Sequence, residues 1–168
     1  MDKKRFAVLG IAVALVSILV LAGCSGGAAA TQNGPVAPTV VTATVNGDTV
    51  SIPANVINTK RNVEFDVQFD KGTASYMAYS WSGAIQVRAS VCVPCRGRSF
   101  TLNGNNLVCN NCGTIFSAQT GKGVSGVPAC QNYPKADVPF KTSADGSITM
   151  SKADLLTAFE NTLTPGLP

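Results

Sequence analysis

The chain has 168 residues, six cysteines and no histidine, and 13 Lys and Arg stand against nine Asp and Glu. Charges this few and this scattered exclude a polybasic nucleic-acid surface. Without imidazole there is no histidine base for catalysis and no standard Rieske centre, which needs two histidines.

At the N-terminus, Asp2-Lys3-Lys4-Arg5 precede an apolar and small-residue run from Phe6 to Ala22 that ends in Leu21-Ala22-Gly23-Cys24. A charged start followed by a run slightly short of the about 20 residues of a transmembrane helix reads as an export signal. An uncleaved anchor is the alternative. The tetrapeptide resembles the bacterial lipobox, which implies that Cys24 is diacylated and heads the mature chain. Several acyl chains, at about 0.8 kcal/mol per buried CH₂, hold firmly where one chain would not. Residues 1–23 are thus predicted to be a lipoprotein signal peptide, residues 24–39 a lipidated cysteine with a flexible linker, and residues 40–168 one domain. The predicted location is extracytoplasmic, anchored by lipid in the bacterial cell envelope.

Period-two patterning dominates the domain and predicts half-buried strands. Val41 to Val45 and Thr49 to Ile52 flank Asn46-Gly47-Asp48, a hairpin turn. Val63, Phe65, Val67 and Phe69 alternate with Asn62, Glu64, Asp66 and Gln68. Tyr76 to Trp81 and Ile85 to Val91 form a hairpin about Ser82-Gly83, and Arg98 to Leu102 and Leu107-Val108 form another about residues 103–106. Pro139 to Thr142 and Ser147 to Met150 flank a further turn. Ser151 then caps a C-terminal helix with Asp154 in its first turn and Leu155, Leu156, Phe159 and Leu163 as its apolar stripe, stopped by Pro165. The expected fold is mainly β, a small domain of antiparallel hairpins with one C-terminal helix.

The chemistry sits between two of these hairpins. Cys92-Val93-Pro94-Cys95-Arg96-Gly97 and Cys109-Asn110-Asn111-Cys112-Gly113 are two C-x-x-C knuckles with 13 residues between them. Each knuckle places two sulfurs beside one ion, and Gly97 and Gly113 let the chain turn away through positive φ. The intervening hairpin brings the knuckles face to face as a Cys₄ site of rubredoxin, zinc-ribbon or Rieske-like kind, with Cys92, Cys95, Cys109 and Cys112 as ligands. Disulfide staples and a dithiol redox motif are the alternatives. Zn²⁺, a single iron and a Cys-ligated iron–sulfur cluster remain open by spacing alone. The stretch from Gly113 to Gly121, with Gly126-Val127-Pro128-Ala129, looks like the second cluster loop of Rieske proteins with cysteine where their histidine stands. Arg96 and Arg98 lie where their charge would offset an anionic site, and Phe100, Phe116 and Val108 would supply an apolar shell.

From about Val45 to Phe159 the chain resembles the FtrD-like family of membrane iron–sulfur containing proteins. The residues that carry the likeness are Asn46-Gly47-Asp48-Thr49-Val50-Ser51-Ile52-Pro53, Cys92-Val93-Pro94-Cys95, Leu107-Val108-Cys109-Asn110-Asn111-Cys112-Gly113, Phe116, a lone Cys130 ahead of Asn132-Tyr133-Pro134, and Ile148 with Asp154-Leu155. Pro128-Ala129 departs from the glycine pair of many members. The resemblance implies an iron–sulfur or other metal centre ligated by cysteines, Cys130 among the candidates, and a link to membrane iron transport or redox partners. A free buried thiol is the other reading of Cys130.

Three functions follow. The first is a membrane-anchored electron carrier or iron-handling lipoprotein with a Cys-ligated iron or iron–sulfur centre. The second is a structural zinc-ribbon binding module, or a disulfide-stapled interaction domain. The third, catalysis, lacks a base and any nucleophile motif.

Overall fold

The computed structural model describes residues 34–165. The apolar N-terminal run and Cys24 lie outside the described residues. In chain order come β1 (Thr39–Val40), β2 (Thr44–Asn46), β3 (Thr49–Pro53), α1 (Ala54–Lys60), β4 (Asn62–Phe69), β5 (Gly72–Trp81) and β6 (Ala84–Ala89). After the first knuckle follow β7 (Phe100–Asn103), β8 (Asn106–Cys109), β9 (Ile115–Ser117), β10 (Gly123–Ser125) and α2 (Pro128–Gln131). The chain closes with β11 (Lys141–Thr142), β12 (Ser147–Ser151) and α3 (Lys152–Leu163). Three four-stranded sheets result, ordered β1-β4-β5-β6, β10-β9-β8-β7 and β11-β12-β3-β2. The fold is mostly β, as the alternation predicts, and among the described residues every pair of neighbouring strands is antiparallel apart from β1 with β4.

The strand β4 shows why. Val63, Phe65 and Val67 are buried while Asp66 and Gln68 face water, and their partners across the ladder are Ala78, Tyr76 and Ala74. Its neighbour β5 behaves differently, because every residue from Ala74 to Tyr79 is buried. Ala74, Tyr76 and Ala78 enter a core with Val50, Ile52, Phe65, Ile148 and Leu155. Met77 and Tyr79, on the opposite face, enter a second core with Phe100, Leu102, Leu107, Phe116, Cys92, Cys109 and Cys130. One strand therefore partitions the interior, as period-two geometry allows when both faces are covered.

Among the described residues, two helices join the one expected. The two-turn α1 buries only Ile57 and ends on Arg61, whose φ is 64°. The single turn α2 starts on Pro128 and carries Cys130 inward. In α3 the Ser151 cap forms, its Oγ accepting from the Asp154 N–H at 3.0 Å. The apolar stripe needs correction. Leu155, Ala158 and Thr162 are the buried positions, with Phe159 packed beside them. Leu156 and Leu163 are 38% and 36% exposed. Spacing of three and four fixes that face, and Thr162 earns its place there by accepting from the Ala136 N–H at 2.9 Å.

Candidate metal centre

The two knuckles are a backbone repeat. In the first, the Cys92 N–H donates to the Gly97 carbonyl at 2.7 Å; in the second, the Cys109 N–H donates to the Thr114 carbonyl at 2.9 Å. Each turn passes through the left-handed region directly after its second cysteine, at Arg96 (φ 59°) and Gly113 (φ 70°). Gly97 therefore serves a purpose other than positive φ. A Cβ there would stand 2.9 Å from the Cys109 Sγ and 3.3 Å from the Cys95 Sγ, so only glycine lets the first knuckle close over the thiols of both. The β7–β8 hairpin sets the knuckles opposite each other, with Phe100 paired to Cys109.

Five thiols meet at this point, and all five are free. Sγ separations are 3.7 Å for Cys95–Cys109, 4.0 Å for Cys92–Cys112 and 3.9 Å for Cys112–Cys130. These are non-bonded distances, far beyond the ~2.05 Å of a disulfide. Cys92, Cys95, Cys112 and Cys130 have sulfurs all within 4.8 Å of one another. A tetrahedral ion with bonds of about 2.3 Å requires sulfurs about 3.8 Å apart. The donor set thus fits a thiolate-bound metal ion. Cys109 lies against Cys95 but outside that mutually close four, and Cys130 stands within it.

Exposure and hydrogen bonding divide the thiols. Cys92, Cys109 and Cys130 are buried, whereas Cys95 and Cys112 are half-buried. Burial raises the Cys92 and Cys130 thiols above the ordinary range and takes Cys109 up to about 11. Burial opposes ionisation at Cys112 too, but hydrogen bonding from the Thr114 side chain and backbone, then from the Cys95 and Cys109 thiols, brings it down to about 6. The Thr114 Oγ1 accepts from the Val127 N–H at 3.2 Å and lies 3.1 Å from the Cys112 sulfur, which donates to it as a thiol and accepts from it once ionised. At Cys95, burial is likewise outweighed, chiefly by the Gly97 N–H donating to its Sγ at 3.4 Å.

Around the thiols, Phe100 and Phe116 meet edge to face with centroids 5.9 Å apart. Leu107 rather than the half-buried Val108 completes this apolar wall, since β8 turns residues 107 and 109 inward. Arg96 and Arg98 are exposed. Two residues with no motif of their own are part of the site: Thr114, and Lys135, a lysine buried to 1% exposure.

The FtrD-like family, described as membrane iron-sulfur containing proteins, matches residues 61–161. That span includes both knuckles, Thr114, Cys130 and Lys135. The chain belongs to the FtrD-like family. No curated protein matches the chain. Family membership places the cysteine cluster in a lineage described as membrane-associated and iron–sulfur containing, and no helix among the described residues is long and apolar enough to cross a membrane.

Proposed function

We propose that this FtrD-like chain is an envelope lipoprotein, anchored through Cys24, that carries electrons or handles iron for a membrane redox or iron-transport partner by means of a Cys-ligated iron centre. The observation that carries this reading is the convergence of four sulfurs within 4.8 Å of one another inside the region matched by the family. Cys92, Cys95, Cys112 and Cys130 are the proposed ligands, with Cys109 as the fifth thiol beside Cys95. Iron bound there would supply one-electron chemistry. The chain's own residues do the rest. Phe100, Phe116 and Leu107 exclude water from the buried side, the Gly97 N–H and the Thr114 hydroxyl stabilise the sulfur charge of Cys95 and Cys112, and Gly97 keeps the two knuckles in contact.

The sulfur spacing also suits Zn²⁺, so a structural zinc site is the second reading. Visible absorption and metal analysis of anaerobically purified protein separate the two. Iron at about one equivalent or more with a thiolate-to-iron absorption band is the expected result; a colourless protein with stoichiometric zinc would overturn the redox reading. The ligand set is tested by comparing Cys130→Ser with Cys109→Ser. Cys130→Ser is expected to lose the metal and Cys109→Ser to retain most of it, and the reverse pattern would restore the two knuckles as the whole ligand set. The anchor has its own test, since Cys24→Ser is expected to release the chain from the membrane fraction without altering its metal content.

A further inference from the structure

Lys135 is buried, yet no carboxylate among the described residues pairs with it. Its Nζ donates to the Val91 carbonyl at 2.7 Å and to the Tyr133 carbonyl at 2.5 Å, and it lies 4.3 Å from the Phe116 ring centroid and 5.6 Å from that of Phe100. Val91 immediately precedes Cys92, and both rings share a core with Cys92, Cys109 and Cys130. Carbonyls and ring faces recover only part of the cost of removing an ammonium from water; a nearby anion is what offsets the rest. Asp137 does not fill that role, because it is 65% exposed and lies 3.7 Å from Arg88.

The position is also built. The Lys135 N–H donates to the Gly121 carbonyl at 2.8 Å, its carbonyl accepts from Arg88 Nη1 at 3.0 Å, and a Cβ on Gly121 would collide with that carbonyl. Arg88 is itself held by Tyr79 Oη at 2.8 Å and the Gln119 carbonyl at 2.8 Å. A long flexible side chain is thus aimed from a rigid backbone into the thiol lobe. Burial lowers Lys135 to about 8, and the thiols of Cys92, Cys109, Cys130 and Cys95 act in the opposite direction.

We propose that Lys135 is the fixed counter-cation of the cysteine site, stabilising the thiolate-bound metal and favouring the more negative, reduced state of bound iron. The proposal rests on the reading of the cysteines as a metal centre. Four thiolates carry a net charge of about −2 around a divalent ion and about −1 around a trivalent one, so a nearby cation stabilises both and the first more. The exposed Arg96 and Arg98 cannot act with the same strength, because solvent and salt screen them.

The experiment compares the full wild-type chain with Lys135→Gln, which keeps a donor for the carbonyls but loses the charge, and Lys135→Arg, which keeps the charge. Zn²⁺ affinity is measured by chelator competition, the reduction potential on iron-loaded protein, and the melting temperature on metal-free protein. The expected result is a loss of Zn²⁺ affinity of about tenfold or more in Lys135→Gln with a lower potential, and near wild-type values in Lys135→Arg. Wild-type chain that binds metal, with Lys135→Gln unchanged in affinity and potential, overturns the counter-cation alone. Equal losses in both variants, matched by an equal fall in metal-free melting temperature, make Lys135 a structural tie and overturn it as well. Wild-type chain that takes up neither zinc nor iron overturns the metal-centre reading and the counter-cation together.

Discussion

On one face of β5, Tyr76 stacks on Phe65 at 5.6 Å and donates to the Leu155 carbonyl at 2.9 Å, inside a core made of Val, Ile, Leu, Ala and Phe from two sheets and two helices. On the other face, Met77 and Tyr79 meet two phenylalanines, two leucines and three buried cysteines. The first core can hold itself together by burial of apolar area. The second is small and contains a buried ammonium and thiols whose ionised forms cost free energy until something compensates them. One strand thus serves as the floor of a self-sufficient core and as the wall of a site that a metal would complete.

The largest separation of the two cores is expected from Cys92→Ser. Structural metal sites couple on the order of 10 kcal/mol of binding to folding, so loss of metal is expected together with loss of amide protection in β7–β9, while β4 and α3 keep theirs. Hydrogen exchange by mass spectrometry reads both lobes at once, and uniform loss of protection would show that the cores are not separable. Next in size is Phe65→Ala, expected to cost about 3–5 kcal/mol in denaturant unfolding with metal per folded molecule unchanged.

The third prediction concerns pH. Cys112 is held at about 6 against an ordinary value of 9.0. A thiol depressed on folding contributes stability that is complete above its unfolded value and is lost as pH falls toward its folded one. Metal-free protein is therefore expected to lose stability between about pH 9 and pH 6, with Lys135, lowered to about 8, adding to the upper end of that window, and Thr114→Val is expected to flatten the slope below about pH 8. An identical slope in the variant would assign it to another group. The smallest effect is Ser151→Ala, which removes the α3 cap and is expected to cost about 1 kcal/mol without touching the metal, as thermal melts of loaded protein would record.

Much of this was legible in the chain because strands with one wet face advertise themselves. Val63 to Phe69 alternates cleanly, and the turn between the knuckles carries Asn103-Gly104-Asn105-Asn106. The C-x-x-C pairs announce a sulfur site, but the four mutually close sulfurs include Cys130 in place of Cys109, and the spacing of the pairs gives no sign of that exchange. Other features carry no local signal. A two-turn helix burying one residue has no period to detect, so α1 is silent. The inward face of α3 depends on what it packs against, and Ala158 and Thr162 are less apolar than the leucines they displace. The backbone need for Gly97 is a close approach between segments far apart in sequence. Lys135 looks like any surface lysine, and only the third dimension brings its side chain beneath Phe116.

The unequal exposure of the thiols has a kinetic consequence. Each knuckle contributes one buried sulfur, Cys92 or Cys109, and one half-buried sulfur, Cys95 or Cys112. The site accordingly has a front and a back. A chelator, an alkylating reagent or an incoming partner reaches the second cysteine of each knuckle first, while Cys92 and Cys130 keep their hold from behind. The sulfurs would release a bound ion one after another, the two front thiolates before the two behind, and the backbone repeat that makes the knuckles alike also makes the front a matched pair of doors.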